Sequence, residues 1–112
     1  MNETVVQPKN LHAELPMDKI AEFCRRWKVS KLEVFGSVLR DDFRADSDID
    51  FLVSFLPDAQ WSLLDEVRLE EELRTLVGRR IDVVSRWGIE HSKNWIRRRE
   101  ILGSVQPLYV AG

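Results

Sequence analysis

The stretch FGSVLRDDFRADSDIDFLVSF, residues 35–55, decides how this chain is read. Its second half, DIDFLVSF (48–55), alternates with period two. Successive side chains of a β-strand point to opposite faces, so Ile49, Phe51, Val53 and Phe55 form one apolar face. Asp48, Asp50, Leu52 and Ser54 form the other, which carries two carboxylates at its N-terminal end. Upstream, Leu32 to Phe35 is a short apolar run closed by Gly36, which reads as a strand ending in a tight turn. Gly36 and Ser37 then open what reads as the first turn of a helix. Such a turn offers unsatisfied backbone N–H groups and a positive dipole end to an anion. Gly36 lets the backbone approach a ligand closely, and Ser37 adds a hydroxyl.

Working outward, Pro16 suits the start of a helix, and Ile20, Phe23, Cys24 and Trp27 follow at helical spacing, predicting a helix over 16–28. Cys24 lies on that apolar stripe and reads as a small buried hydrophobe. Pro57 stops the 48–55 strand. Ser62 and Asp65 form a capping box for a helix over 63–77 that Gly78 ends. Its inward side is expected to use Leu63, Leu64, Val67, Leu69, Leu73, Leu76 and Val77, with Glu70 and Arg74 paired one turn apart outside. Arg80 to Ser85 reads as a third strand, with Asp82 and Val84 on one face. A last helix is expected within 89–102, ending near Gly103. Its Arg97–Arg99 run reads first as solvated surface.

A strand, a long helix and a strand across 48–84 predict a crossover and a parallel pairing. The link before it, eleven or twelve residues, leaves the direction of the first pairing open. The expected fold class is therefore α/β (α+β): a small mixed sheet of three or more strands with helices mainly on one face. In that sheet Asp82 stands on the strand beside Asp48 and Asp50. Carboxylates about 5 Å apart repel by roughly 3 kcal/mol per pair at an effective dielectric near 20. A divalent ion of the magnesium type relieves this, since it takes hard oxygen ligands and is held by one or two carboxylates plus substrate phosphates. Asp-x-Asp alone reads as surface acids at a strand end. Preceded by a strand and a Gly-Ser bend, it reads as a metal site beside a phosphate cradle, fit for a nucleoside triphosphate.

These residues carry a resemblance. Gly36-Ser37, the ten residues Val38 to Ser47, and Asp48-Ile49-Asp50 resemble the signature of the DNA polymerase β-like nucleotidyltransferase superfamily. The chain is similar to its minimal nucleotidyltransferase (MNT) family, which includes antitoxins of the MntA type. The likeness runs over about 16–109, through RRIDVVS (79–85) and, more weakly, EILGSVQPLY (100–109). It implies that Asp48 and Asp50 bind the metals that hold the triphosphate. It implies that Asp82 completes that site or accepts the proton of the attacking hydroxyl, and that Gly36 and Ser37 hold the β- and γ-phosphates. Arg40 matches a basic position of the motif; it meets phosphate or pairs with Asp41, Asp42 or Asp46. Ser47 caps the turn into the strand. Asp41 and Asp42 replace the Arg-Gly of many relatives, and Ala45 a frequent Pro; neither departure touches a ligand. The cofactor implied is Mg2+, with Mn2+ the alternative, and ATP is the substrate. The implied function is AMP transfer to a tyrosine hydroxyl of a HEPN-domain toxin encoded by a neighbouring gene, silencing it in a hetero-oligomer. Transfer to a small molecule, as by aminoglycoside nucleotidyltransferases, and neutralisation by contact alone are the rival readings.

Composition bounds these readings. A length of 112 residues leads to the expectation of a single domain, 1–112, with 1–14 a loose N-terminal arm. With 44% hydrophobic and 32% charged residues the chain is globular rather than disordered. The 17 basic and 19 acidic residues give a net charge of −2, which argues against a coat for nucleic acid, so no direct nucleic-acid binding is expected. No apolar run is long enough to span a membrane and no leader pattern opens the chain. With one cysteine, the expected location is the cytoplasm. His12 and His91 have no companions at ligand spacing and read as surface residues. Of the four tryptophans, Trp61 and Trp87 sit near loops and are candidates for a partner surface or a base stack.

Overall fold

The computed structural model describes residues 3–112. Five strands form one mixed sheet in the order β1-β5-β2-β3-β4, where β1 is Thr4–Val5, β2 Val29–Phe35, β3 Ile49–Phe55, β4 Ile81–Ser85 and β5 Gln106–Val110. β2 pairs antiparallel with β3 and with β5, and β3 runs parallel to β4. The first pairing, left open by the sequence, is thus antiparallel, and the crossover pairing is parallel as expected.

The apolar face of β3 carries the main core. Ile49, Phe51 and Val53 pack with Leu32, Val34, Ile81 and Leu108 under α1 (Met17–Arg26) and α2 (Leu63–Val77). α1 contributes Ile20, Ala21, Phe23 and Cys24, all buried at helical spacing. Burial pushes the Cys24 thiol up to about 12, so it is inert at neutral pH. α2 begins with the capping box, since Asp65 N–H donates to Ser62 Oγ (3.2 Å) and the Asp65 carboxylate accepts from Ser62 N–H (2.9 Å). It stops at Gly78, whose φ of +79° is the left-handed conformation that favours glycine.

The second face is partly covered too. Two short helices, α3 (Arg86–Glu90) and α4 (Trp95–Leu102), lie over Phe35 and Leu52 with Ile89 and Ile101. The two long helices still sit together on one side. The helix expected within 89–102 is α4, which ends at Gly103, and α3 is an additional short helix before it; Asn94 and Ser85 each accept a hydrogen bond from a following backbone N–H and start the two separately.

Several expectations need correcting. Leu63, Leu64 and Val67 do not turn inward; all three are exposed, and α2 buries only Leu69 and Leu73. Leu63 and Val67 instead line an open cavity with Val53 and Phe55 of β3 and Val83 and Ser85 of β4. Glu72 rather than Glu70 finds an arginine, pairing with Arg26 at 2.6 Å across α1 and α2. The arm expected to be loose is anchored at Thr4 and Val5, which pair with Val110 and Tyr109. Glu3 reinforces that pairing by accepting from Arg25 (2.7 Å) and from the Tyr109 hydroxyl (2.9 Å). Trp61 is structural: its indole N–H donates to the Trp27 carbonyl (2.9 Å), and the two rings meet edge-on at 5.0 Å. No helix among the described residues is long and apolar enough to cross a membrane.

Candidate active site

The site builds at one end of the sheet, where β2 finishes and β3 and β4 begin. Register decides it. Phe35 is the partner of Asp50, and Asp50 is the partner of Asp82. Laterally paired residues share a face, so Asp50 and Asp82 stand side by side beneath the bend that follows Phe35. Asp48 lies one residue ahead of β3 and belongs to the same face by alternation.

Gly36 closes the other wall. Its φ is +78°, and a Cβ built on it would stand 2.6 Å from Asp50 Oδ2. Only a residue without a side chain adopts that conformation at low cost and leaves room for that carboxylate. The helical turn expected after Gly36 is a single 3-10 turn, Gly36–Leu39, and Val38 anchors it in the core. Ser37 is half-buried, and its carbonyl accepts from Arg40 N–H (2.9 Å).

Charge reports the same convergence. Burial, followed by the nearby charges of Asp82 and Asp48, pushes the Asp50 carboxyl above its ordinary value, and Arg40 opposes the rise. Asp48 and Asp82 are exposed and Asp50 is half-buried. Arg40 pairs with Asp42 (3.2 Å) while lying close enough to act on Asp50. Asp48 is turned to Arg80, with Oδ1 3.1 Å from Nε. Among the described residues no three His, Cys, Asp or Glu side chains stand close enough together, as placed, to enclose an ion. The donor set nevertheless fits a hard divalent cation: Asp50 and Asp82 are neighbours by register, and the charge penalty on Asp50 is of the kind a cation removes.

The loop that delivers Asp48 is held by residues that sequence reasoning missed. Arg79 Nη2 donates to three carbonyls, those of Arg44 (2.9 Å), Ala45 (3.0 Å) and Ser47 (2.8 Å), and its guanidinium lies 4.5 Å from the Phe43 ring centroid. Arg80 Nη2 donates to the Asp46 carbonyl (2.7 Å). Ser47 Oγ accepts from Arg44 N–H (3.1 Å), the capping role expected of it. The available signal was two arginines entering a strand beside a loop rich in acids. Deeper on the same sheet face, Glu33 is only 1% exposed and is held by Arg86, which also reaches Glu90 (3.3 Å). This cluster ties α3 to the sheet.

His12 and His91 stay outside the site. His12 pairs with Asp41 (3.3 Å), and the His91 ring stacks on Trp87 at 4.2 Å. Trp87, Trp95 and Ile96 are exposed on α3 and α4.

A mixed sheet with a strand–Gly-Ser bend–strand unit, and a carboxylate pair brought side by side at its end, defines the nucleotidyltransferase fold. The chain belongs to the nucleotidyltransferase domain family, whose model matches residues 17–106. A solved structure described as a minimal nucleotidyltransferase is 36% identical, with a TM-score of 0.63, over 82% of this chain and 88% of that one. The protein adenylyltransferase MntA of Thermococcus cleftensis is 43% identical over 65 residues, 56% of this chain and 62% of that relative, so the match spans less than two thirds of its length. A toxin–antitoxin crystal structure with AMP-PNP shares the fold, with a TM-score of 0.65 at 18% identity over 87% of this chain and 75% of that one.

Proposed function

We propose that this chain is a metal-dependent adenylyltransferase that moves AMP from ATP to a tyrosine hydroxyl of a HEPN-domain toxin and so acts as its antitoxin. The observation that carries the reading is the Asp50–Asp82 register beneath Gly36, where a Cβ would meet the Asp50 carboxylate. The names of the relatives support the acceptor class. One is a protein adenylyltransferase, and a structural neighbour is an AMPylated HEPN toxin of Shewanella oneidensis in complex with an MNT antitoxin.

In this reading Asp48 and Asp50 hold the divalent ion, Mg2+ or Mn2+, and Gly36 and Ser37 receive the β- and γ-phosphates. Bound there, the ion supplies charge neutralisation for the departing pyrophosphate. Asp82 is exposed on the edge strand, open to an incoming acceptor, and takes the proton of the attacking hydroxyl. The hydroxyl oxygen bonds to the α-phosphorus as the bond to the β-bridging oxygen breaks, and pyrophosphate leaves. Catalysis is then positioning and electrostatics. The site is an open surface, and exposed Trp87, Trp95 and Ile96 are the kind of apolar surface that a protein partner covers.

The test is mass-detected AMP transfer to a HEPN-domain protein encoded beside this chain, co-expressed with wild type or with Asp48→Asn/Asp50→Asn. The expected result is an adenylyl mass increment on the partner with wild type only. A double mutant that still protects cells, with no mass change in either case, makes this a binding antitoxin instead.

A further inference from the structure

The three carboxylates share their sheet face with a fourth charged side chain whose place is unusual. Arg80 enters β4 as Asp48 enters β3, and Ile49 N–H donates to the Arg80 carbonyl (3.2 Å), so the two side chains stand next to each other at the mouth of the site. By strand alternation Arg80 points to the Asp82 side. Its Nε lies 3.1 Å from Asp48 Oδ1, and its Nη2 is fixed by the Asp46 carbonyl at 2.7 Å. The guanidinium is thus held from both ends of the turn that delivers Asp48.

Asp50 and Asp82 are neighbours by register, and Asp48 is near enough to raise the Asp50 carboxyl. Of the three acids, Asp48 is the one that Arg80 engages. Arg79 does not share this role: its Nη2 donates to the carbonyls of Arg44, Ala45 and Ser47, and its guanidinium packs on Phe43. One arginine of the pair fastens the loop and the other neutralises its acid.

We propose that Arg80 is a built-in counter-ion that competes with the divalent cation for Asp48, so that loading the site requires Asp48 to leave Arg80. This rests on the metal-site reading above and adds to it a residue that sets cation affinity. Release has a second effect. Arg80 is exposed, and once parted from Asp48 its Nε–H is released beside the site while Nη2 stays on the Asp46 carbonyl, which leaves a donor suited to a phosphate oxygen. The cation and Arg80 therefore exchange positions around one carboxylate instead of both crowding it.

An exposed ion pair is weak enough for a divalent ion to displace, and removing a positive charge a few ångströms away adds attraction for that ion. Calorimetric titration with Mn2+ alone reads the sum. Arg80→Gln is expected to bind Mn2+ about three- to tenfold more tightly than wild type, and Arg80→Lys within about threefold. Arg74→Gln, which removes the same charge from the helix on the opposite face, is expected to leave the affinity within about twofold. In an Asp48→Asn background Arg80→Gln should give no more than about a twofold gain, because a mutant cycle isolates the pair. Equal or weaker binding by Arg80→Gln overturns the proposal, making Arg80 a residue that orients Asp48 for the ion. A gain that persists in full with Asn at 48 overturns it as well. Saturable Mn2+ binding absent from both wild type and Arg80→Gln overturns the metal-site reading on which it rests.

Discussion

At the scale of single residues, two positions concentrate the account. Gly36 answers two demands at once, a φ of +78° and clearance for Asp50 Oδ2. Gly36→Ala is expected to cost about 1–3 kcal/mol, since a side chain in the left-handed region is strained and its Cβ must displace the carboxylate. Urea denaturation measures the loss, and an unchanged midpoint contradicts the stated geometry. Asp82 is the second position. If it takes the acceptor's proton, Asp82→Asn abolishes transfer while ATP affinity stays within about threefold, because a general base acts in the transition state more than in binding. Parallel loss of ATP affinity and turnover would make it chiefly a metal ligand. Arg40 takes one of the two options the motif left for it, pairing with Asp42, and its charge also moderates Asp50.

At the scale of elements, the sequence was most legible where one local rule dominated. The alternation of 48–55 gave β3 and both of its faces, and the serine–aspartate box and Gly78 gave the ends of α2. Ser62→Ala therefore tests a sequence-derived feature directly. It should cost about 1 kcal/mol, read as a fall of about 4–6 °C in Tm. What escaped was non-local. β5 is a five-residue strand containing Pro107, and its pairing with β2 depends on where α4 delivers the chain. The inward turn expected of Leu63, Leu64 and Val67 failed because apolar spacing cannot tell that the start of α2 leaves an open cavity between itself and strands β3 and β4. The candidate site divides in the same way. The Gly-Ser bend and the three acids follow from spacing and from strand pairing. The arginines at 79 and 80 that fasten the loop and engage Asp48 depend on carbonyls brought near only by the fold.

At the scale of the whole molecule, ion pairs join distant parts of the chain and set its acid tolerance. Glu3, held by Arg25 and Tyr109, and Glu72, held by Arg26 and Trp27, both lie below the ordinary value of 4.5. Groups depressed in the folded state stabilise it above that value, and their contribution declines below it until pH passes the lower folded-state value. Circular dichroism should therefore show stability unchanged from pH 7 to about 5 and declining below 4.5; a decline already complete at pH 5 would contradict this. Asp50 behaves oppositely, since its raised carboxyl takes up a proton sooner than an ordinary aspartate. Cation affinity should accordingly weaken before the fold does. In the proposed site Asp48, Asp50 and Asp82 face a Gly36-Ser37 phosphate cradle across one bound nucleotide. Anomalous diffraction at the manganese edge, from crystals grown with Mn2+ and a non-hydrolysable ATP analogue, tests it most directly. Manganese is expected between Asp48 and Asp50, on the side that faces Asp82, with the triphosphate against residues 36–37. Manganese bound elsewhere, or a triphosphate remote from that bend, would contradict it.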